Sequence, residues 1–346
     1  MSQKDNYQKD LEHLMEETKT FAQLRPWEWL DDTDLFAFRL DGEEPVYCSV
    51  LGASGQLSGI AFYPGDLGLQ GFIDVVEDRL DDVDLYFSQL SYSLELTDRD
   101  ALDSQDYKLV RSSGVTFRGR GQWPSWMYLE PGYLPRQPAR EKFGMLARWM
   151  KAAEQSVRWL RERPEDRTLI RTGRCIQFDI DQQGRMTEEV IALEQVLDRN
   201  GRQQETIRIH HDLQVRALRE KCRRTDAVWE IDAFYQGVPV DGDPPFVPLL
   251  LLMIDPRAGA VLGSHLAHPS TQVEEFQAYL FSFFEQNREI PSQIVTTNSR
   301  LHGQLAPLLS RLGITFDEVD ELFIIPHVKT QIREEIEGII DGGQEL

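Results

Sequence analysis

The fold of the C-terminal part is decided by VWEIDAFYQG at residues 228–237 and VPLLLLMIDPRAGAVLGSHLAH at residues 247–268. Apolar residues alternate with polar ones in the first segment and run almost without interruption at the start of the second. Both patterns are typical of strands that are buried on one or both faces. The short PRAG turn joins the last two strands, so the sequence predicts three consecutive antiparallel strands.

The residues that follow predict alternating helices and strands. STQVEEFQAYLFSFFEQN, residues 270–287, has one apolar face and a capping-box pattern of Thr271 with Glu274, so it predicts a helix. QIVTTNSRLHGQLAPLLSRLGITF, residues 293–316, has the rhythm of a strand, a polar turn and a helix ending at Gly313. A strand at 314–319 and a helix around 327–340 complete the order βββαβαβα, which predicts an α/β domain with a mixed sheet.

The N-terminal part predicts an α+β domain. Residues 7–24 have apolar positions at helical spacing, and residues 46–64 read as a hairpin of two period-2 strands. A long helical pattern over 139–163 ends at Pro164. We therefore expect an α+β domain over 1–163, a connector or accessory layer over 164–226, and the second domain over 227–346.

The charge of the chain is strongly negative and unevenly distributed. The formal net charge is −21, which disfavours nonspecific binding to nucleic acid. Residues 31–106 alone contain 18 acidic residues against 3 arginines. The run of acids around 74–84 could attract a basic partner or simply keep the protein in solution. The basic segment 208–224 could contact nucleic acid, although a solvated helix face explains it as well.

The composition of the chain indicates where in the cell the protein is located and what kind of partner it has. The sequence contains no run of about 18 apolar residues, so we expect no membrane span. The N-terminus is polar, and three cysteines in no metal-binding spacing suit a reducing compartment. We therefore expect a cytoplasmic protein whose partner is another protein.

The order of four segments carries a family resemblance. WEIDAFY, LLLLMIDPRAGAVLG, IPSQIVTTN and LLSRLGITF, within residues 228–337, together resemble the ribonuclease H-like integrase core of the transposase and retroviral-integrase superfamily. In that family two aspartates and a glutamate hold two metal ions for phosphoryl transfer. The resemblance places Asp232 at the first aspartate, Asp255 at an acid that is normally structural, and Glu335 as the candidate for the acid of the last helix.

The second metal-binding aspartate of that family is missing from the matching turn. Thr297 stands there and is followed by Asn298, and neither side chain carries a negative charge. Magnesium sites rely on carboxylates because the ion gives up its water reluctantly. The first hypothesis is therefore that the protein has a binding or regulatory role and is not an enzyme. In this hypothesis its metal site is incomplete and it uses no cofactor. The alternative is a metal-dependent nuclease or phosphodiesterase in which Asp232, Glu335 and Asp255 bind Mg²⁺ or Mn²⁺.

The chain as a whole also resembles two bacterial families of unknown function that occur joined in one polypeptide. PWEWLDDTDLF with YCSVLGASGQLSGIAFY, within residues 26–63, resembles the first, and the stretch from VWEIDAFYQG to LGITFDEVDEL resembles the second. The resemblance implies no activity. Trp123 and Trp126 of the first part could line a small-molecule pocket, or they could serve only to pack its core.

Overall fold

The computed structural model of the chain describes residues 3–53, 55, 57–77, 80–164, 173–193, 196 and 212–343. The chain forms two compact units. The first contains residues 1–80, 88–130 and 135–200, and the second contains residues 81–87, 131–134 and 201–346. Two short segments of the expected first domain, 81–87 and 131–134, thus belong to the second unit. Apolar packing explains this, because Phe87 is buried in the core of the second unit and Val83 and Leu134 pack against that core.

The first unit is built around one large sheet. Its strands are β1 Leu35–Leu40, β2 Val46–Leu51, β3 Gly59–Pro64, β4 Ser91–Thr97, β5 Trp123–Leu129, β6 Arg174–Ile180 and β7 Met186–Ala192. Its α-helices are α1 Gln3–Leu24, α2 Gly65–Val76, α4 Ser104–Ser112 and α5 Phe143–Glu162. The helix between α2 and α4, α3 Asp82–Ser88, belongs to the second unit except for its last residue. Short 3-10 helices lie at Pro26–Glu28, Arg99–Ala101 and Arg140–Lys142.

The sheet of the first unit has the order β5-β4-β3-β2-β1-β6-β7. Only β1 and β6 are parallel, and the other neighbours are antiparallel. The central strand β1 reads LFAFRL, and its first four residues are all buried, as expected of a strand covered on both faces. Helix α1 packs against α5, and Leu14 and Met150 are among the residues fully enclosed in this core.

Residues 174–192, expected in a connector or accessory layer, form the last two strands of this sheet. β6 pairs with the central strand β1 through residues 36–40 and 176–180, and Arg39 binds Asp179 across the pair. β7 is the edge strand, and its exposed Glu188 and Glu189 place charge where an uncharged edge would invite further pairing. Residues 165–172, 194–195 and 197–211 of the expected connector lie outside the described residues.

The second unit contains the βββαβαβα succession of elements. Its main strands are β9 Val228–Tyr235, β10 Leu249–Asp255, β11 Ala260–Ala267, β13 Gln293–Thr296 and β14 Thr315–Glu318, and a two-stranded ribbon joins β8 Arg223–Arg224 to β12 Glu289–Ile290. The helices are α3 Asp82–Ser88, α6 Asp212–Lys221, α7 Gln272–Asn287, α8 Ser299–Leu312 and α9 Ile325–Gly343.

The main sheet of this unit is mixed, with the order β11-β10-β9-β13-β14. β9, β10 and β11 are antiparallel, whereas β13 is parallel to both β9 and β14. The run LLLLMI of β10 is buried throughout, with alternate residues in two separate apolar clusters. One cluster includes residues of α7 and α8, and the other includes Ile325 of α9. The sheet is therefore covered on both faces, which explains the uninterrupted apolar run.

Two predicted helix ends can be compared with the structure. α8 ends where predicted, because Gly313 adopts the left-handed conformation (φ 73°) and the Arg224 guanidinium binds the carbonyls of Leu312 and Gly313. At the start of α7, Thr271 is the N-cap residue, but its hydroxyl bonds the carboxylate of Glu275 instead of forming the expected capping box with Glu274.

Candidate functional site

Asp232 lies in the middle of β9 on the face that α9 covers. Because strand residues alternate between faces, Glu230, Asp232 and Phe234 share this side. The Asp232 side chain is partly buried, and its Oδ1 accepts hydrogen bonds from the Ala233 backbone N–H at 2.8 Å and from Asn298 Nδ2 at 3.4 Å. A carboxylate thus sits beneath the last helix of the unit with an amide as its side-chain hydrogen-bond donor.

Burial dominates the electrostatics of Asp232. Loss of solvent raises the pKa of its carboxyl group to about 6, and the nearby Asp84 carboxylate contributes in the same direction. The Lys329 ammonium group, the Ala233 N–H and the Asn298 amide oppose this rise and lower the pKa. Lys329 of α9 is therefore the positively charged residue that most favours the ionised form of Asp232.

Asn298 connects this carboxylate to the start of α8. Its side-chain oxygen accepts a hydrogen bond from Leu301 N–H at 2.9 Å, which makes it the N-cap of the helix. Its amide nitrogen donates to Asp232 and, at 3.2 Å, to the carbonyl of Ala233. Thr297, at the position aligned with the missing aspartate, is exposed. Of the two neutral residues in the turn, Asn298 is therefore the one that reaches Asp232.

Four charged side chains form a network beside this site. Lys329 Nζ binds Asp81 Oδ2 at 2.5 Å and also binds Asp84 Oδ2. Arg333 Nη1 binds Asp81 Oδ1 at 2.5 Å, and its Nη2 lies 3.2 Å from Asp84 Oδ1. Asp84 is only 10% exposed, and its carboxylate also accepts the Tyr235 N–H at 2.7 Å. Part of the acidic run around 74–84 is thus used inside the second unit.

Sequence reasoning missed this network. The acids precede their basic partners by about 245 residues, as for Lys329 and Asp84. Lys329 and Arg333 are one helical turn apart and flank the apolar positions Val328 and Ile332 of α9. That position beside a buried stripe was a weak signal that the two cations are partly enclosed, but it could not identify their partners.

The remaining candidate metal ligands lie in other surroundings. Asp255 Oδ1 accepts the backbone N–H groups of Arg257 and Ala258 at 2.9 and 3.2 Å, so it holds the turn between β10 and β11. Glu335 is exposed on α9. In the described part of the chain, no three or more His, Cys, Asp or Glu side chains are grouped so that they could hold a metal ion.

The basic segment 208–224 is partly engaged in internal contacts. Residues 208–211 lie outside the described residues. Arg216 pairs with Glu220 at 3.0 Å, Arg223 pairs with Glu289, and Arg224 binds the end of α8. These bonds use some of the positive charge that a nucleic-acid contact would need.

The aromatic residues of the first unit are packed against one another. Trp126 is 3% exposed and stacks on Phe62 with ring centres 6.3 Å apart. Trp123 is partly buried and lies against Tyr107 and Phe117. These contacts account for both tryptophans by core and surface packing.

Among the helices of the described residues, none is long and apolar enough to cross a membrane.

Two segments of the chain match known sequence families. Residues 12–176 match a domain of unknown function (DUF7309), and residues 214–333 match a second domain of unknown function (DUF6930). The first match runs from α1 into β6, and the second runs from α6 into α9. No curated protein matches the chain. The chain is therefore similar, along two successive segments, to two families of domains whose function is unknown.

Proposed function

We propose that the protein is a non-catalytic binding or regulatory protein and that its second unit is a ribonuclease H-like domain with an incomplete metal site. The fold assignment is supported by three antiparallel strands followed by two parallel ones, in an order that places β9 in the centre. It is also supported by the last helix, which shares an apolar cluster with one face of the sheet.

The observation that carries the functional proposal is the charge around Asp232. A two-metal site needs several carboxylates that share divalent cations. Beside Asp232 the chain offers a neutral amide from Asn298 and a positive charge from Lys329. An ammonium group in this position repels a divalent cation and partly neutralises the carboxylate itself. We infer that Lys329, which also binds Asp81 and Asp84, contributes positive charge near Asp232 where a metal site would have a cation.

The competing function is a metal-dependent nuclease or phosphodiesterase, and metal titration separates the two. We expect millimolar Mn²⁺ or Mg²⁺ to change the melting temperature of the metal-free protein by less than about 1 °C. An ion that binds the folded state only weakly stabilises it little. The same preparation should not cleave single- or double-stranded nucleic acid. A gain of several degrees that is lost in Asp232→Asn, or metal-dependent cleavage that is lost in this variant, would contradict the proposal.

A variant designed to gain metal binding tests whether missing carboxylates are what prevents the protein from binding metal. Asn298→Asp keeps an N-cap residue for α8 and adds a second carboxylate beside Asp232. We expect millimolar Mn²⁺ to raise the melting temperature of this variant by about 3 °C. Adding Lys329→Gln should enlarge the rise, because it removes the competing positive charge. If neither variant responds to metal, missing carboxylates are not what prevents binding.

The proposed partner is another protein, and the proposed location is a reducing cytoplasm. The three cysteines are free and buried. Burial raises the pKa of the Cys48 and Cys175 thiols well above the ordinary value, so both remain protonated and unreactive. Buried, protonated thiols support a structural role and fit the proposed compartment.

A further inference from the structure

We propose that Lys329 and Arg333 form a binding site for a ligand with adjacent phosphate groups, and that Asp81, which directly precedes α3, and Asp84 of α3 occupy this site. The inference rests on the proposed function, because it gives the second unit a ligand to bind in place of a reaction to catalyse. Within the described conformation, α3 is then an internal competitor of that ligand.

The two cations are held in place by contacts that do not involve α3. Lys329 Nζ lies 5.2 Å from the centre of the Phe234 ring, and the Arg333 guanidinium carbon lies 5.8 Å from it. Arg333 Nη2 also donates to the Tyr235 carbonyl at 2.9 Å. Both residues are on α9, four positions apart, so they face the same side. Each cation therefore has at least one contact that does not depend on α3.

The carboxylates of Asp81, just before α3, and of Asp84 within α3 contact these cations as a bound anion would. Lys329 binds both Asp81 and Asp84, and Arg333 directs one nitrogen to each of the same two carboxylates. Two carboxylates side by side offer an array of oxygens similar to that of two neighbouring phosphates. Arginine and lysine are the side chains that proteins use to bind phosphate.

The position of α3 is one where α/β proteins commonly bind ligands. Asp84 accepts the N–H of Tyr235, the last residue of β9, and the Phe87 ring lies 5.8 Å from that of Tyr235. β9 is parallel to β13, and open parallel sheets bind ligands outside the carboxyl ends of their strands. Helix α3 therefore covers the end of the sheet where a ligand is expected.

The ion pairs between the two cations and Asp81 and Asp84 have features that would let another anion displace the two carboxylates. Partly buried ion pairs add little net stability, because removal of the charges from water offsets their attraction. Asp81 is 38% exposed, so water reaches one of the two carboxylates. Arg333 Nε is buried without a hydrogen-bond partner among the described residues, which leaves one donor unused. A ligand with more negative charge than two carboxylates could compete for these donors.

The test removes the internal competitor and measures binding on the full chain. The parent and the double variant Asp81→Asn with Asp84→Asn are titrated with inorganic tripolyphosphate by calorimetry and with a labelled single-stranded oligonucleotide by fluorescence anisotropy. EDTA is present throughout, so metal plays no part and a failure here leaves the metal titration of the proposed function unaffected. We expect the double variant to bind at least one of the two probes about tenfold more tightly than the parent.

Two controls separate a specific site from general charge effects. Asp241→Asn with Asp320→Asn changes the net charge equally at two exposed positions of the same unit, and binding should stay at the parent level. Arg333→Gln added to the double variant should abolish the gain. The two probes distinguish a free polyphosphate from a nucleic-acid backbone as the source of the phosphates.

Three outcomes would overturn the proposal. The folded double variant could bind neither probe more tightly than the parent, or the exposed control pair could show the same gain. If the double variant does not fold, the single variant Asp81→Asn, which changes the more exposed carboxylate, replaces it and should bind about threefold more tightly. If that variant also fails to fold or gains nothing, the contact is a fixed part of the fold and α3 is no competitor.

Discussion

Replacing Asp232 with asparagine is expected to raise the free energy of unfolding at neutral pH by about 2 kcal/mol. The pKa of the Asp232 carboxyl is about 6 in the folded protein, against an ordinary value of 3.8. The folded state therefore holds this proton more tightly than the unfolded chain does. The full shift corresponds to about 3 kcal/mol, and the partial exposure of the side chain reduces it.

The effect of this substitution depends on pH with a definite sign. A carboxyl group with a raised pKa contributes stability that is complete below its unfolded pKa and is lost as the pH rises through the folded value. The parent should therefore lose stability relative to Asp232→Asn between about pH 4 and pH 7. Below that window the two proteins should be equally stable, because the carboxyl is protonated in both states.

Urea unfolding of the parent and the variant at several pH values checks this expectation. Asp320→Asn, an exposed carboxylate of the same unit, is the matched control and should change stability little at any pH. A variant that is less stable than the parent at neutral pH would mean that attraction to Lys329 outweighs burial. A stabilising effect would also mark Asp232 as a residue that the fold itself does not need, which is common at functional sites.

The second large effect concerns Glu230, which is 1% exposed. Its carboxylate accepts the backbone N–H groups of Phe323, Ile324 and Ile325 at 2.7, 3.0 and 3.1 Å, just where α9 begins. Glu230→Ala leaves these donors without their acceptor in a buried place. We expect the free energy of unfolding of the second unit to fall by about 4 kcal/mol.

Hydrogen exchange can locate this loss. Peptides from β9 and α9 should exchange faster in Glu230→Ala, whereas peptides from the sheet of the first unit should be unchanged. Glu230→Gln retains one acceptor oxygen and should lose less than half as much stability. If alanine and glutamine have equal small effects, water replaces the carboxylate and α9 does not depend on Glu230.

Local patterns in the sequence were sufficient to predict most strands and helices of the second unit. The alternation in β9, the apolar run of β10 and the glycine at the end of α8 each report on a structure formed within a few residues. The helix boundaries depend on more distant contacts: the last helix begins at Ile325, two residues before the predicted start. Glu230 provides the physical reason, because a distant carboxylate satisfies the first N–H groups of that helix.

The candidate site could be predicted only in part. Asp232 and the neutral turn at Thr297 and Asn298 were visible in the sequence, since both belong to segments whose order carries the family resemblance. Which of the two turn residues reaches Asp232 was not visible. Side-chain direction at a strand end depends on how the following helix is capped, and Asn298 supplies that cap.

The sequence by itself determined the five main strands of the second unit and the helices α7, α8 and α9, their order, and the absence of a carboxylate in the turn after β13. Hydrophobic periodicity and turn chemistry act over a few residues, so they can be read locally. Only the tertiary structure decided that residues 81–87 join the second unit and that Asp81 and Asp84 bind Lys329 and Arg333. A charged side chain can pair with any opposite charge that packing brings within reach, and packing is decided by the whole chain.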